Sequence, residues 1–95
     1  MYEEIIENMK NGDEDAFSFL YKHYWEKVYG FTRLYLVSSE DIAEVVQEVF
    51  IKLWEARHLI DEEQPFEGFL FIITRNMIFN YSRKKLNYSF LKVTV

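Results

Sequence analysis

Residues 44–55, EVVQEVFIKLWE, decide how the rest of the chain is read. Ile42, Val45, Val46, Val49, Leu53 and Ala56 recur at three- and four-residue spacing, which predicts a helix over about residues 40–58 with one buried face. Phe50 and Trp54 flank that face four residues apart, where they can stack along the helix. The opposite face carries Glu44, Gln47, Glu48, Ile51 and Glu55 at i, i+3, i+4, i+7 and i+11. One reading is a solvated face, helped by a Glu48–Lys52 pair one turn apart, since a single exposed isoleucine is common. The other is a docking surface for a basic helical partner, with the acids steering encounter and Ile51 as apolar centre. Spacing alone leaves both open.

Working outward, three more helices are predicted and no convincing strand before residue 86. A short one over residues 2–10 carries Tyr2, Ile5, Ile6 and Met9 on one stripe and stops at Gly12, a residue suited to the left-handed C-cap position. Asp13 is placed to cap the next helix, residues 14–36, whose stripe is Phe17, Leu20, Tyr21, Tyr24, Val28, Phe31 and Tyr35. Ser38 with Asp41 resembles a capping box ahead of the central helix. Pro65 suits the first turn of the last helix, residues 65–84, with Phe69, Leu70, Ile73 and Met77 facing inward. Residues 86–95 are expected to be a linker or a frayed end.

The length of 95 residues is enough for one domain and one core. Aromatic residues make up 19% of it, and their large buried areas help so short a chain fold without staples. There is no cysteine, which excludes disulfides and thiolate metal sites and fits a reducing compartment. The densest apolar run, FEGFLFII (residues 66–73), is broken by Glu67 and Gly68 and is too short to span a membrane. The acidic start MYEEIIENMK is unlike a signal peptide. A soluble, cytoplasmic protein is expected. All 16 acids and six of the 11 bases fall in residues 1–67, and the other five bases in residues 68–95, so a net −10 faces a net +5. Two different partners would explain that split; so would an acidic surface with a basic tail.

Enzyme signatures are poor. Glu55 and His58 form a Glu-x-x-His pair, but di-metal bundles need two such pairs and two further carboxylates, and three residues before His23 stands Leu20. No metal, cofactor or catalytic set is predicted, and His58 is expected near a helix C-terminus. The last helix offers other chemistry. Phe71, Arg75, Phe79 and Ser82 share a face at i, i+4, i+8 and i+11. Bases interleaved with rings suit single-stranded nucleic acid, cations tracking phosphates while rings stack on bases. Asn76, Asn80 and Tyr81 can hydrogen-bond base edges. The alternative is that these rings are core, which is the expectation for Phe69 and Tyr81.

Together, GDEDAF (residues 12–17), VVQEVFIKLWE (45–55), FEGFLFIITRN (66–76) and NYSRKK (80–85) resemble the N-terminal domain, region 2, of extracytoplasmic-function (ECF) bacterial sigma factors. The resemblance covers roughly residues 10–85. It implies an all-α fold, a small bundle of about four helices over residues 1–85, and no enzymatic activity. One helix would dock on the coiled coil of the RNA polymerase β′ clamp through Glu44, Gln47 and Glu48, with Ile51, Lys52 and Glu55 at the margin. The following loop and helix would engage the −10 promoter element and hold non-template bases as single strand. The DNA-facing positions would lie in residues 60–66, with Phe66, and at Arg75, Asn76, Asn80, Arg83 and Lys84; Phe71 and Phe79 join them from the pattern of rings and bases. Core RNA polymerase, promoter DNA and an anti-sigma factor are the implied partners. Glu44 stands where many members have Asp, and Asp61, Glu62 and Glu63 would repel phosphates near the proposed DNA loop. Ending at Val95, the chain is not expected to read the −35 element. The competing expectation is a helical module that binds a regulatory protein without touching DNA.

Overall fold

Local chemistry sets where each helix starts and stops. The computed structural model describes residues 2–94, and side chains for residues 2–85. In that range the elements are α1 (Glu3–Lys10), α2 (Glu14–Thr32), α3 (Ser39–Glu55), a 3-10 turn (Arg57–Leu59) and α4 (Phe66–Thr94). The all-α architecture is the expected one.

Gly12 takes φ +99° just past α1. Its N–H donates to the Met9 carbonyl at 2.9 Å and the Asp13 N–H to the Asn8 carbonyl at 3.0 Å, the paired bonds of a Schellman motif. Asp13 then caps α2, its Oδ1 accepting from Asp15 N–H (2.9 Å) and Ala16 N–H (3.3 Å). Residues 11–13 turn the chain back so that α1 packs on α2.

α2 ends at Thr32, short of the predicted residue 36. Beyond Thr32 the N–H groups of Leu34 and Tyr35 bond carbonyls three residues back, at Phe31 and Thr32, so the coil tightens and stops. Tyr35 is therefore outside the helix and exposed rather than on the core stripe. Tyr21 is also exposed, and its ring meets the edge of Phe50 at 4.7 Å. Ala16 and Thr32 take the inner face in their place.

The buried face predicted for α3 holds, with Ile42, Val45, Val46, Val49 and Leu53 buried, but the helix ends at Glu55 rather than near residue 58, leaving buried Ala56 just beyond it. Phe50, expected at the flank, is fully inside. Ser38 Oγ accepts from Asp41 N–H at 3.4 Å at the start of α3. At the other end Arg57 donates to the Trp54 carbonyl (2.8 Å) and lies 4.1 Å from the centre of the Trp54 ring. α4 packs chiefly on α3 and only lightly on α2. It buries Phe66, Leu70, Ile73, Thr74 and Ile78, with Phe69 and Met77 half-buried. It runs on to Thr94, past the predicted end at residue 84, because no Gly or Pro follows Gly68 to stop it. Each large apolar side chain brought inside contributes about 1.5–3 kcal/mol against exposure.

Candidate functional site

The outer face of α3 is intact as a surface. Glu44, Gln47, Glu48, Ile51, Lys52 and Glu55 are all exposed, and Ile51 shows 45% of its area. None of Glu44, Glu48 and Glu55 closes a salt bridge among the described residues, so the anticipated Glu48–Lys52 pair does not form. Ile51 is less isolated than the helical pattern indicated. It borders a shallow depression between α2 and α3 shared with Phe17, Tyr21, Gln47 and Trp54. The apolar centre of this face thus includes rings from α2, which the α3 pattern by itself could not reveal.

α4 presents the second surface. Arg75, Asn76, Asn80, Arg83 and Lys84 are exposed, as are the rings of Phe71 and Phe79. Ile72, missed by sequence reasoning, is 49% exposed between them. At i, i+3, i+4, i+7 and i+11, residues 72, 75, 76, 79 and 83 make one stripe of alternating apolar and polar character. Its spacing was present in the sequence, but a helix apolar nearly all round hides which side is wet.

Phe66 departs from its expected role. It is 8% exposed, with its ring 5.4 Å from Tyr24 on α2. In the first turn of α4 its side chain packs on α2 and closes the core, with only its edge lining the groove beside the loop. Ile60, at the other end of the proposed DNA loop, is also buried, at 3% exposed, while the rest of that loop, residues 61–65, is accessible. Asp61 organises it: Oδ1 accepts from Glu63 N–H at 3.0 Å and its carbonyl from Gln64 N–H at 3.0 Å. A groove of about 380 Å3 between this loop and α1 is rimmed by Glu3, Glu7, Asp61, Glu62 and Glu63. So many carboxylates disfavour phosphates and leave room for neutral bases.

The two surfaces meet. Glu44 and Glu48 of α3 face Asn80, Tyr81 and Lys84 of α4 across one narrow groove. Beside it, the Tyr81 hydroxyl donates to Asp41 Oδ1 at 2.6 Å and Lys85 Nζ to Oδ2 at 2.5 Å. Both oxygens of this carboxylate in the first turn of α3 are therefore held by α4. The Lys85 and Tyr81 hydrogen bonds, in that order, hold the Asp41 carboxyl below the usual range. In return the Asp41 bond, with burial second, pushes the Tyr81 phenol up to about 12. Tyr81, assigned to the core by sequence, is half-buried and works as a tie between the surfaces. On the α2 side Lys27 donates to Glu67 Oε1 at 2.8 Å, which lowers the Glu67 pKa.

His58 lies in the 3-10 turn after α3, as its expected place near a helix end implied. Among the described residues no group of three or more His, Cys, Asp or Glu could hold a metal ion. No helix there is long and apolar enough to cross a membrane.

The Sigma-70 region 2 family model matches residues 20–87. The ECF RNA polymerase sigma-E factor of Haemophilus influenzae is 38% identical over 77 residues, covering 81% of this chain and 40% of that protein. The sigma-E factor of Escherichia coli is 35% identical over 77 residues, with the same coverage of 81% and 40%. The chain thus spans about two fifths of the length of these relatives. Among solved structures, an engineered region 2 of sigmaE in complex with GTAAAA superposes with a TM-score of 0.84 at 32% identity, over 90% of this chain and 88% of the other. CnrH in complex with the cytosolic domain of CnrY shares the fold, with a TM-score of 0.77 at 23% identity over 92% of this chain and 59% of the other.

Proposed function

Because the chain belongs to the sigma-70 region 2 family, we propose that it is the promoter-opening module of an ECF sigma factor, docking on the β′ clamp of RNA polymerase and capturing the −10 element. The observation that carries this is the adjacency of two exposed surfaces of different chemistry. An acid-and-amide row centred on Ile51 lies on α3, and a stripe of bases, amides and rings lies on α4, with the Asp41 tie between them. Residues 1–85 form the working unit and residues 86–95 lead out of it.

Docking uses Glu44, Gln47 and Glu48 for charge and register, Ile51 for apolar contact, and Lys52 and Glu55 at the rim. On α4, Arg75, Arg83 and Lys84 meet phosphates, Asn76 and Asn80 reach base edges, and Phe71 and Phe79 stack. Such stacking is worth roughly 1–3 kcal/mol per base, enough to offset unstacking of a duplex step at a few kcal/mol. No covalent bond changes, so the module needs neither catalyst nor cofactor, and it acts in the cytoplasm where polymerase is. With a net charge of −5 the chain binds DNA weakly alone and relies on polymerase for most phosphate contacts. The solved complex of an engineered region 2 of sigmaE with GTAAAA, a structure of the same fold, supports the DNA reading.

The test is capture of a β′ clamp segment by the wild-type chain and by a Gln47→Ala/Glu48→Arg variant. Loss of capture in the variant is expected; equal capture sinks the docking assignment.

A further inference from the structure

At the end of α3 one guanidinium holds one tryptophan twice. The helix stops at Glu55 and the chain tightens into the 3-10 turn Arg57–Leu59, which brings the Arg57 side chain back over the last turn of the helix. Its Nη1 donates to the Trp54 carbonyl at 2.8 Å, and its guanidinium carbon stands 4.1 Å from the centre of the Trp54 ring. The cation also meets the partially negative C-terminal end of α3. The same indole meets Phe17 of α2 edge to face, ring centres 5.2 Å apart. Trp54, so placed, lines the depression that Ile51 shares with Phe17 and Tyr21, and Phe50, fully buried, closes its floor. Arg57 itself does not line it.

We propose that Arg57 is a positioning residue for polymerase docking: acting through Trp54 rather than on the clamp itself, it fixes the indole as the wall against which an apolar side chain of the clamp seats. The inference rests on the reading of the α3 face as the docking surface. The exposed row on α3 offers one apolar residue, Ile51, at its centre. A lone isoleucine is a small anchor, and binding energy at interfaces concentrates where aromatic side chains are well packed. Trp54 follows Ile51 by three residues and is half-buried, so its indole reaches both the core and the depression. Without Arg57 the indole keeps the edge of Phe17 but loses the group stacked on it. A wall that swings between rotamers has to be ordered on binding, which weakens affinity roughly two- to tenfold per side chain. Arginine suits the task, because a planar guanidinium lies over a ring and donates to a carbonyl at once, which the compact ammonium of lysine does less well. The arrangement also turns this cation away from the acids of the face: Glu55, two residues before it, closes no salt bridge among the described residues.

The test measures binding of a β′ clamp segment to the full chain by titration calorimetry, at a temperature where circular dichroism shows every variant folded. Arg57→Ala is expected to weaken binding roughly two- to tenfold, and Arg57→Lys, which keeps a cation over the ring, to recover part of the loss. In heteronuclear NMR spectra the Trp54 indole N–H should shift and broaden in Arg57→Ala while that of Trp25 stays in place. Trp54→Leu should weaken binding about tenfold, and adding Arg57→Ala to it should weaken it no further, because two residues acting through one contact are not additive. An arginine that only caps the helix would lower the melting temperature and leave the affinity of the folded protein unchanged. One that touches the clamp would weaken binding further in the Trp54→Leu background. Either result overturns the positioning role, and the docking reading stands if Gln47→Ala/Glu48→Arg still loses binding. If Gln47→Ala/Glu48→Arg and Trp54→Leu both bind like wild type, the docking reading falls and the inference with it.

Discussion

Replacing Phe66 with alanine separates a core role from a DNA-contacting role at a position that family resemblance assigned to DNA and the structure buries. The ring is 8% exposed and packs on Tyr24, at the start of the helix that carries the proposed DNA surface. Truncating a buried phenylalanine costs about 3–5 kcal/mol, because transfer free energy is lost and the cavity collapses only in part. A chain of 95 residues has a total stability of about 5–14 kcal/mol at typical values per residue, so the loss is a large fraction of the whole. At about 4–8 °C per kcal/mol for a domain of this size, the melting temperature falls by about 12–40 °C. Phe71→Ala is the control. That ring is 46% exposed and loses mainly its edge contact with Phe31, about 0.5–1.5 kcal/mol. Thermal unfolding followed by far-UV circular dichroism reads both. A Phe66→Ala protein that melts within a few degrees of wild type, or a Phe71→Ala protein that melts lower than Phe66→Ala, would refute the assignment.

Three further outcomes are expected. Ile51→Lys places a cation at the centre of the α3 face and should weaken clamp binding about tenfold or more, while the melting temperature stays near wild type because the site is exposed; unchanged binding removes Ile51 from the interface. Gly12→Ala should destabilise by about 1–3 kcal/mol, since φ +99° is strained for any residue with a Cβ even though open space surrounds it; an unchanged urea midpoint would contradict this. Tyr81→Phe should let the Asp41 carboxyl titrate closer to its ordinary range. A depressed carboxyl stabilises the fold above its unfolded pKa, roughly 4, and that contribution disappears as pH falls through the lower folded value. Tyr81→Phe should therefore flatten the acid limb of stability against pH, and an identical limb in both proteins would count against the tie.

The fold was readable wherever one face of a helix is apolar and the other polar. α3 is such a helix, and its buried residues and its wet face both follow from spacing. α2 was readable to Phe31, Tyr21 apart, and then not: Tyr35 keeps the spacing, but the coil tightens beyond Thr32 and spacing ceases to mean a shared face. α4 is apolar nearly all round in its first half, so its periodicity could not rank Phe66, Phe71 and Ile72 by exposure. Only the positions of α2 and α3 around it do that. The candidate residues on α3 lie on one local helix and were legible together. The Asp41–Tyr81 bond joins residues 40 apart in sequence, and so does the Lys27–Glu67 ion pair; neither leaves a local trace in the chain.

Among the described residues the core holds two polar side chains, Thr32 and Thr74, and each hydroxyl donates to a carbonyl of its own helix, Val28 and Leu70, at 2.8 Å. Neither reaches across to a neighbouring helix. The interior therefore contributes cohesion without an address: nothing in it distinguishes one packing angle of α4 from a slightly different one except shape. Exchanges that conserve volume, such as Ile for Leu, are tolerated in such interiors. The orientation of α4 is instead pinned from outside, by Asp41 on one flank and Glu67 on the other. Volume-conserving drift inside the bundle should thus be nearly silent, while loss of both exterior carboxylates would leave α4 held by shape alone.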